Sequence, residues 1–172
     1  LFVDPEVRAK YADPDAAAAF AVDMINEVVR GVTGIKLAVH LCRRAGGRAR
    51  GEACHCGGYG PIISHLNRLQ VHHLTMEFTA PQAGDMAVFR ELREDFEIGL
   101  GCVDVPPGRI DSAETIAGRV RKAAEYLAPA RITLNPDCGF APGSGAVVNL
   151  DEAYRKLCHE AEAARILRAE FA

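Results

Sequence analysis

The chain reads as an α/β protein whose strands run parallel and whose helices pack outside them. Short apolar runs rich in Ile, Leu, Val and Phe alternate with longer stretches whose apolar residues recur at helical spacing. Its 172 residues are enough for one domain with a core of its own. Hydrophobic residues make up 49% and charged residues 25%, the balance of a globular protein.

Each element has its own signal. LFVD (1–4) is a first short strand. DPDAAAAFAVDMINEVVRGV (13–32) is an alanine-rich helix with Asp13 or Asp15 as N-cap. IKLAVHLC (35–42) is a buried strand, and AGGRARGEACHCGGYG (45–60) a glycine-rich loop. PIISHLNRL (61–69) predicts a short helix, HHLTMEF (72–78) a strand, AVFRELRE (87–94) a helix and FEIGLGCVD (96–104) a strand. PPGRIDS turns the chain, with Ser112 capping the amphipathic helix AETIAGRVRKAAEYL (113–127). RITLNPDCG (131–139) is the last strand and NLDEAYRKLCHEAEAARILRAEF (149–171) the closing helix. Five strands in such alternation fit an open doubly wound sheet or the second part of an eight-stranded (β/α) barrel. No G-x-G-x-x-G follows the first strand, which weighs against a dinucleotide-binding sheet. In either layout functional groups gather at the C-terminal ends of the strands.

The net charge of −3 gives no basic surface for nucleic acid, and no apolar stretch approaches the roughly 20 residues of a membrane span. LFVD has no basic segment before it, so no signal peptide is expected, and without an initiator Met the chain is expected to lack its natural start. Six irregularly spaced cysteines (42, 54, 56, 102, 138, 158) read as free thiols in a reducing cytoplasm rather than as a disulfide framework.

Four residues carry chemistry. His40 and Cys42 stand at i and i+2, so a strand points both to one face, about 6–7 Å apart at Cα. Glu77 ends the next strand. Cys138 follows RITLNPD at another strand end. The separations, 35 residues from Cys42 to Glu77 and 61 from Glu77 to Cys138, correspond to one and two βα units. Singly, the His reads as a hydrogen-bonded polar group, each Cys as core filler and the Glu as solvated. Together at one rim, two thiolates, an imidazole and a carboxylate suit tetrahedral zinc, with a formal charge of −1 on the complex. The ion would keep a substrate thiol anionic at neutral pH, ready to attack an electrophilic carbon. Glu77 is then the labile ligand, since its oxygen is harder than thiolate sulfur. Cys54-His55-Cys56 is a second cluster of metal-binding type, read as incidental to its loop. Arg43 and Arg44 read as solvated rather than as steering an anionic substrate.

HLC, MEF and LNPDCG resemble the zinc-site segments of the cobalamin-independent methionine synthase family. GGYGPIISHL, TAPQAGDMAVFREL and FEIGLGCVDV extend the resemblance over nearly the whole chain, roughly 1–170. It is nearest to the shorter single-domain members, including epoxyalkane:coenzyme M transferase-like proteins. The resemblance implies that residues 1–172 are one domain: the C-terminal portion, about five βα units, of a (β/α)8 TIM-type catalytic barrel, incomplete on its own. It implies zinc as cofactor, His40, Cys42, Glu77 and Cys138 as ligands, and transfer of an alkyl (methyl) group from a donor to a thiol such as homocysteine, for methionine biosynthesis. Glu77 also takes the catalytic role of loosening as the thiol enters.

Two positions depart from the family pattern. Folate-using members carry a His two residues after the Asp of the G-x-G-x-x-D stretch, where this chain has Pro106, so a folate-independent reaction is expected. The family's acidic pair before a proline is here Val3-Asp4, leaving Asp4 as the contact for a substrate amine. The alternatives are an epoxide-opening thiol transferase or carbon–sulfur lyase of the coenzyme M type, and a non-catalytic zinc-binding half-barrel. With five strands where a barrel needs eight, open edges predict a homo-oligomer or a companion subunit supplying the missing strands.

Overall fold

Asp-Pro is a helix start, and it overrides the strand expected at the beginning of the chain. The computed structural model describes residues 2–44, 55–140 and 149–172. Asp4 caps α1 (Pro5–Arg8), its carboxylate accepting from the Glu6 N–H, with proline in the first helical turn. LFVD is therefore not a strand: Phe2 and Val3 lie in a turn, and Val3 is buried. Asp13 caps α2 (Pro14–Val29), accepting from the Ala16 N–H.

Four strands follow: β1 (Ala38–Leu41), β2 (His73–Glu77), β3 (Glu97–Val103) and β4 (Ile132–Pro136). Between β1 and β2 lies a 3-10 turn (Gly60–Ile62) running into the short helix α3 (Ile63–Leu66). Between β2 and β3 the expected α-helix is instead a 3-10 helix (Met86–Glu91) capped by Asp85. Met86, Phe89 and Leu92 are all buried, and their spacing of three matches the three-residue repeat of that helix. Ser112 caps α4 (Ala113–Ala124), and Asn149 caps α5 (Leu150–Glu170).

All three strand pairings are parallel, in the order β1-β2-β3-β4. A doubly wound sheet reverses its order at a switch point, and this one does not. The sequential order is that of an arc of a TIM-type (β/α)8 barrel. The described residues contribute four strands to it, one fewer than expected, because LFVD starts a helix. As described, β1 and β4 are the two edge strands.

The two faces of the sheet differ sharply. Leu74, Met76, Ile98, Leu100 and Cys102 point toward the helices and are fully buried among Ile116, Ala117 and Val120 of α4. The opposite face carries His40, His73, Thr75, Glu77, Gly99, Gly101 and Asn135, small or polar groups that suit a barrel interior.

Register fixes which groups stand level. Leu41 pairs with Met76, Glu77 with Gly101, and Gly101 with Asn135, with an irregularity in the β3–β4 pairing between Gly101 and Val103. Cys42, one residue past Leu41, is thus level with Glu77. A Cβ at Gly101 would lie 2.3 Å from Asp137 Oδ1, 2.7 Å from the Met76 carbonyl oxygen and 2.9 Å from Glu77 Cα. Two of those neighbours are backbone and cannot step aside. Gly101→Ala is therefore expected to lower unfolding free energy by about 1–3 kcal/mol, the cost of overpacking a filled site, as measured by urea denaturation.

Candidate metal centre

The strand ends are where parallel strands stop pairing and loops begin, and the polar groups of this chain meet there. One ligand atom each from His40, Cys42, Glu77 and Cys138 lies within 4.8 Å of all the others. His40 and Cys42 come from β1 and the residue just beyond it, Glu77 ends β2, and Cys138 follows β4. Sequence spacing thus named the four groups that the fold assembles. Around a tetrahedral ion with bonds of about 2.0–2.3 Å, ligand atoms stand roughly 3.5 Å apart, so this spread is close to that of a pre-assembled site. The donor set, two sulfurs, one imidazole and one carboxylate, is one that zinc accepts.

The cluster is buried on one side and open on the other. The Glu77 side chain is 3% exposed and that of His40 38%, with His40 Nε2 3.6 Å from Glu77 Oε1. A closed structural site would bury every ligand; this one leaves His40 and Cys42 accessible. The electrostatics couple the members. Hydrogen bonding to Cys138, then to Glu77, raises the His40 pKa to about 9. The same contact with His40 lowers that of Cys138. Burial raises the Cys42 thiol to about 11, against an opposing backbone hydrogen bond in which the Arg44 N–H meets the sulfur at 3.3 Å. Without metal the site thus holds protons that a divalent cation would displace.

Several neighbours carry the geometry and were not legible as site residues. Asp137, 1% exposed, accepts from the backbone N–H groups of Phe78 (2.9 Å) and Thr79 (3.2 Å) and from the Thr79 hydroxyl. It ties the end of β4, and with it Cys138, to the end of β2. Arg43, 2% exposed, is the opposite of the solvated residue expected: its guanidinium donates to the carbonyls of His55 (2.7 Å), Gly57 (2.6 Å) and Gln82 (2.5 Å). Arg44 is exposed. Lys156 of α5, also buried, donates to the carbonyls of Val105 (3.1 Å) and Pro106 (2.7 Å) and pairs with Glu152, which receives the Gly108 N–H. The only advance signal for Asp137 was its place beside Cys138.

Asp4 stands outside the four-residue cluster. Its carboxylate accepts from Glu6 N–H (2.9 Å) and Cys56 N–H (3.2 Å) and lies 3.1 Å from His55 Nδ1. The His55 contact is the main cause that lowers its pKa. Of the Cys54-His55-Cys56 stretch, Cys54 lies outside the described residues, and His55 and Cys56 are tied to Asp4 rather than to the cluster. His40, Cys42, Glu77 and Cys138 form the one cluster of metal-binding type among the described residues.

An arc of parallel βα units with Cys, His and Glu at its carboxyl rim defines a barrel protein with a candidate metal centre. The particular family follows from comparison: residues 15–165 match the model described as the cobalamin-independent synthase catalytic domain, and the chain belongs to that family. A methionine synthase of Saccharolobus islandicus (strain L.S.2.15 / Lassen #1) is 30% identical over 152 residues, covering 88% of this chain and 40% of the relative. One from Pyrococcus horikoshii is 29% identical over 170 residues, 99% of this chain and 44% of the relative. The B12-independent methionine synthase of Shewanella sp. W3-18-1, solved with selenomethionine, superposes with a TM-score of 0.73 at 20% identity, over 91% of this chain and 45% of that one, which is a likeness of fold. The chain thus spans less than half the length of these relatives.

Burial, the largest influence, raises the Asp137 pKa from 3.8 to about 7, with the Glu77 charge adding to it and the Thr79 hydrogen bond opposing it. A carboxyl whose pKa rises on folding stabilises the fold below its unfolded pKa, and that contribution is lost as pH climbs through the folded value. Chelator-treated protein should therefore lose stability between pH 4 and pH 7 through this group. Asp137→Asn should flatten that slope in urea unfolding measured across the range.

Proposed function

We propose that residues 1–172 are a single domain, the C-terminal portion of a methionine synthase-like barrel, and that they hold zinc for transfer of an alkyl group, a methyl in the first instance, to a thiol such as homocysteine. The observation that carries this reading is the meeting of His40, Cys42, Glu77 and Cys138 at one rim. When bound, zinc supplies a positive charge that keeps a thiol deprotonated at neutral pH. The rest falls to the chain. Cys42 and Cys138, as anionic sulfurs, would temper that charge and so leave a substrate sulfur nucleophilic. Glu77, the hardest donor, would be the ligand least committed to the ion and the one able to make way for a thiol. Asp4 receives the amine of an amino-acid thiol: three donors already meet its carboxylate, which has room for about four. The rim orients thiol and alkyl donor toward each other, an advantage worth several kcal/mol.

Pro106 supports a donor other than a folate. Its ring carries no proton, and its carbonyl is committed to Lys156. Epoxides, and the reverse carbon–sulfur cleavage, are the electrophile chemistry to assay beside methyl donors. The thiolate ligands require the reducing interior of a cell, and Cys42, Cys102, Cys138 and Cys158 form no disulfide. Among the described residues no helix is long and apolar enough to cross a membrane.

Zinc analysis combined with zinc-edge X-ray absorption tests the reading. The protein should carry one zinc per chain and gain a sulfur ligand on addition of homocysteine. Cys138→Ser should lose most of the metal and lower alkyl transfer by at least about 100-fold, in the range seen when an essential group is removed. Stoichiometric zinc and full activity in that variant would remove the basis of the proposal.

The barrel also needs further strands. As described, the sheet has open edges at β1 and β4. Phe20, Met24 and Val28 expose an apolar stripe on α2, and Leu150, Tyr154 and Leu157 another on α5. A groove of about 620 Å³ runs beside β4, lined by Ile132, Leu134, Leu157, Leu167 and Phe171. We read these surfaces as the seats of the missing strands and helices, supplied by a companion subunit or a second copy of the chain. Light scattering of the 172-residue chain should report a species above its 18.5 kDa monomer mass; a stable, well-behaved monomer would contradict it.

A further inference from the structure

A parallel strand alternates its peptide groups between its two neighbours. The Phe78 N–H points to Gly101 on β3. The N–H and C=O of Glu77 therefore face the other way, toward β1. β1 ends at Leu41, opposite Met76, so the last rung of the β1–β2 ladder falls at Glu77. One side chain joins that last rung. The Tyr59 hydroxyl lies 3.0 Å from the Glu77 nitrogen, accepting its N–H, and 3.3 Å from the Glu77 carbonyl oxygen, to which it donates. A hydroxyl can do both at once, as a peptide unit of an adjoining strand would.

Tyr59 is itself held from two sides. Its ring packs on Phe78 at 5.3 Å between centroids, and Phe78 on Phe89 at 5.0 Å. The Arg43 guanidinium lies 5.2 Å from the ring centroid, with its donors committed to three carbonyls. Arg43 is the residue after Cys42. One chain of contacts thus runs from the strand end that bears His40 and Cys42, through Arg43 and Tyr59, to the backbone of Glu77. Tyr59 is 1% exposed, and nothing about its burial suggests contact with substrate.

We propose that Tyr59, braced by Arg43, is a positioning residue for the metal centre: its hydroxyl bridges the Glu77 N–H and C=O at the last rung of β1 and sets the distance between Glu77 and the His40–Cys42 pair. This rests on the metal-binding reading above. It lets β1 end early enough to present Cys42 at the rim while Glu77 keeps a rigid backbone. Were Glu77 to make way for an incoming thiol, only its side chain would have to move.

Cobalt(II) titration of the full chain tests it, because cobalt absorption reports both affinity and ligand geometry. Wild-type protein should give the intense bands of a four-coordinate, sulfur-containing site. Tyr59→Phe keeps the ring and removes the bridge. It should retain its far-UV circular dichroism, bind cobalt about 10–100-fold more weakly, the usual effect of losing an outer-shell partner, and shift its ligand-field bands. Arg43→Lys, which keeps the charge and loses the flat face over the ring, should weaken binding in the same direction. Phe89→Leu loosens the same aromatic cluster without touching the hydroxyl, and should lower thermal stability while leaving cobalt affinity and spectrum at wild-type values. Wild-type affinity and spectrum in both Tyr59→Phe and Arg43→Lys would overturn the proposal, as would equal weakening by Phe89→Leu. Absence of cobalt binding by the wild-type chain would instead bring down the metal-site reading, and this inference with it.

Discussion

At the carboxyl edge of the sheet, β3 presents a hydrogen atom where any other residue would present a carbon. Gly101 lies between Glu77 on β2 and the end of β4, and its missing side chain is the space through which Asp137 reaches across to the backbone of Phe78 and Thr79. Strands two apart in a sheet are separated by about 10 Å, too far for a Glu and a Cys to share one ion unless the strand between them is bare. That vacancy lets Asp137 hold the end of β4, and with it Cys138, beside the end of β2. The irregular pairing between Gly101 and Val103 lies beside it, as expected where a strand must bend away from its partner.

Around this edge the fold spends its buried charges on backbone carbonyls. Arg43 gathers three from two separate loops, and Lys156 gathers two from the turn after β3. A buried cation is unfavourable unless its donors are satisfied, and an unsatisfied buried carbonyl is costly as well, so each arrangement offsets two penalties with one set of contacts. The result is a rim whose loops are tied to strands and to α5. In the proposed chemistry a side chain there would move while the backbone stays put.

Among the described residues the same sheet has edge strands at β1 and β4. Apolar stripes on α2 and α5 are exposed, and in the proposed reading a completed barrel would cover them. The relatives are more than twice as long, and the match falls on less than half of each. The proposed thiol pocket, as distinct from the candidate metal rim, is thus expected to be built jointly with those further elements.

The alternation of apolar runs with helical periodicity was enough to read an α/β chain of parallel strands, because each periodicity is a local consequence of burying one face. The four rim residues were legible for the same reason: strand ends can be counted, and His40, Cys42, Glu77 and Cys138 fall on them. Local pattern misled at LFVD, where an Asp cap and a proline outweighed three apolar residues, and at 87–94, where buried residues three apart chose the tighter helix. What only the tertiary structure decided is which groups stand between the strand ends. Tyr59 meets Glu77 across 18 residues of chain, and Asp137 meets Thr79 across 58. Arg43 is drawn inward by carbonyls from other loops. Such contacts depend on distances in space, and no period in the sequence records them.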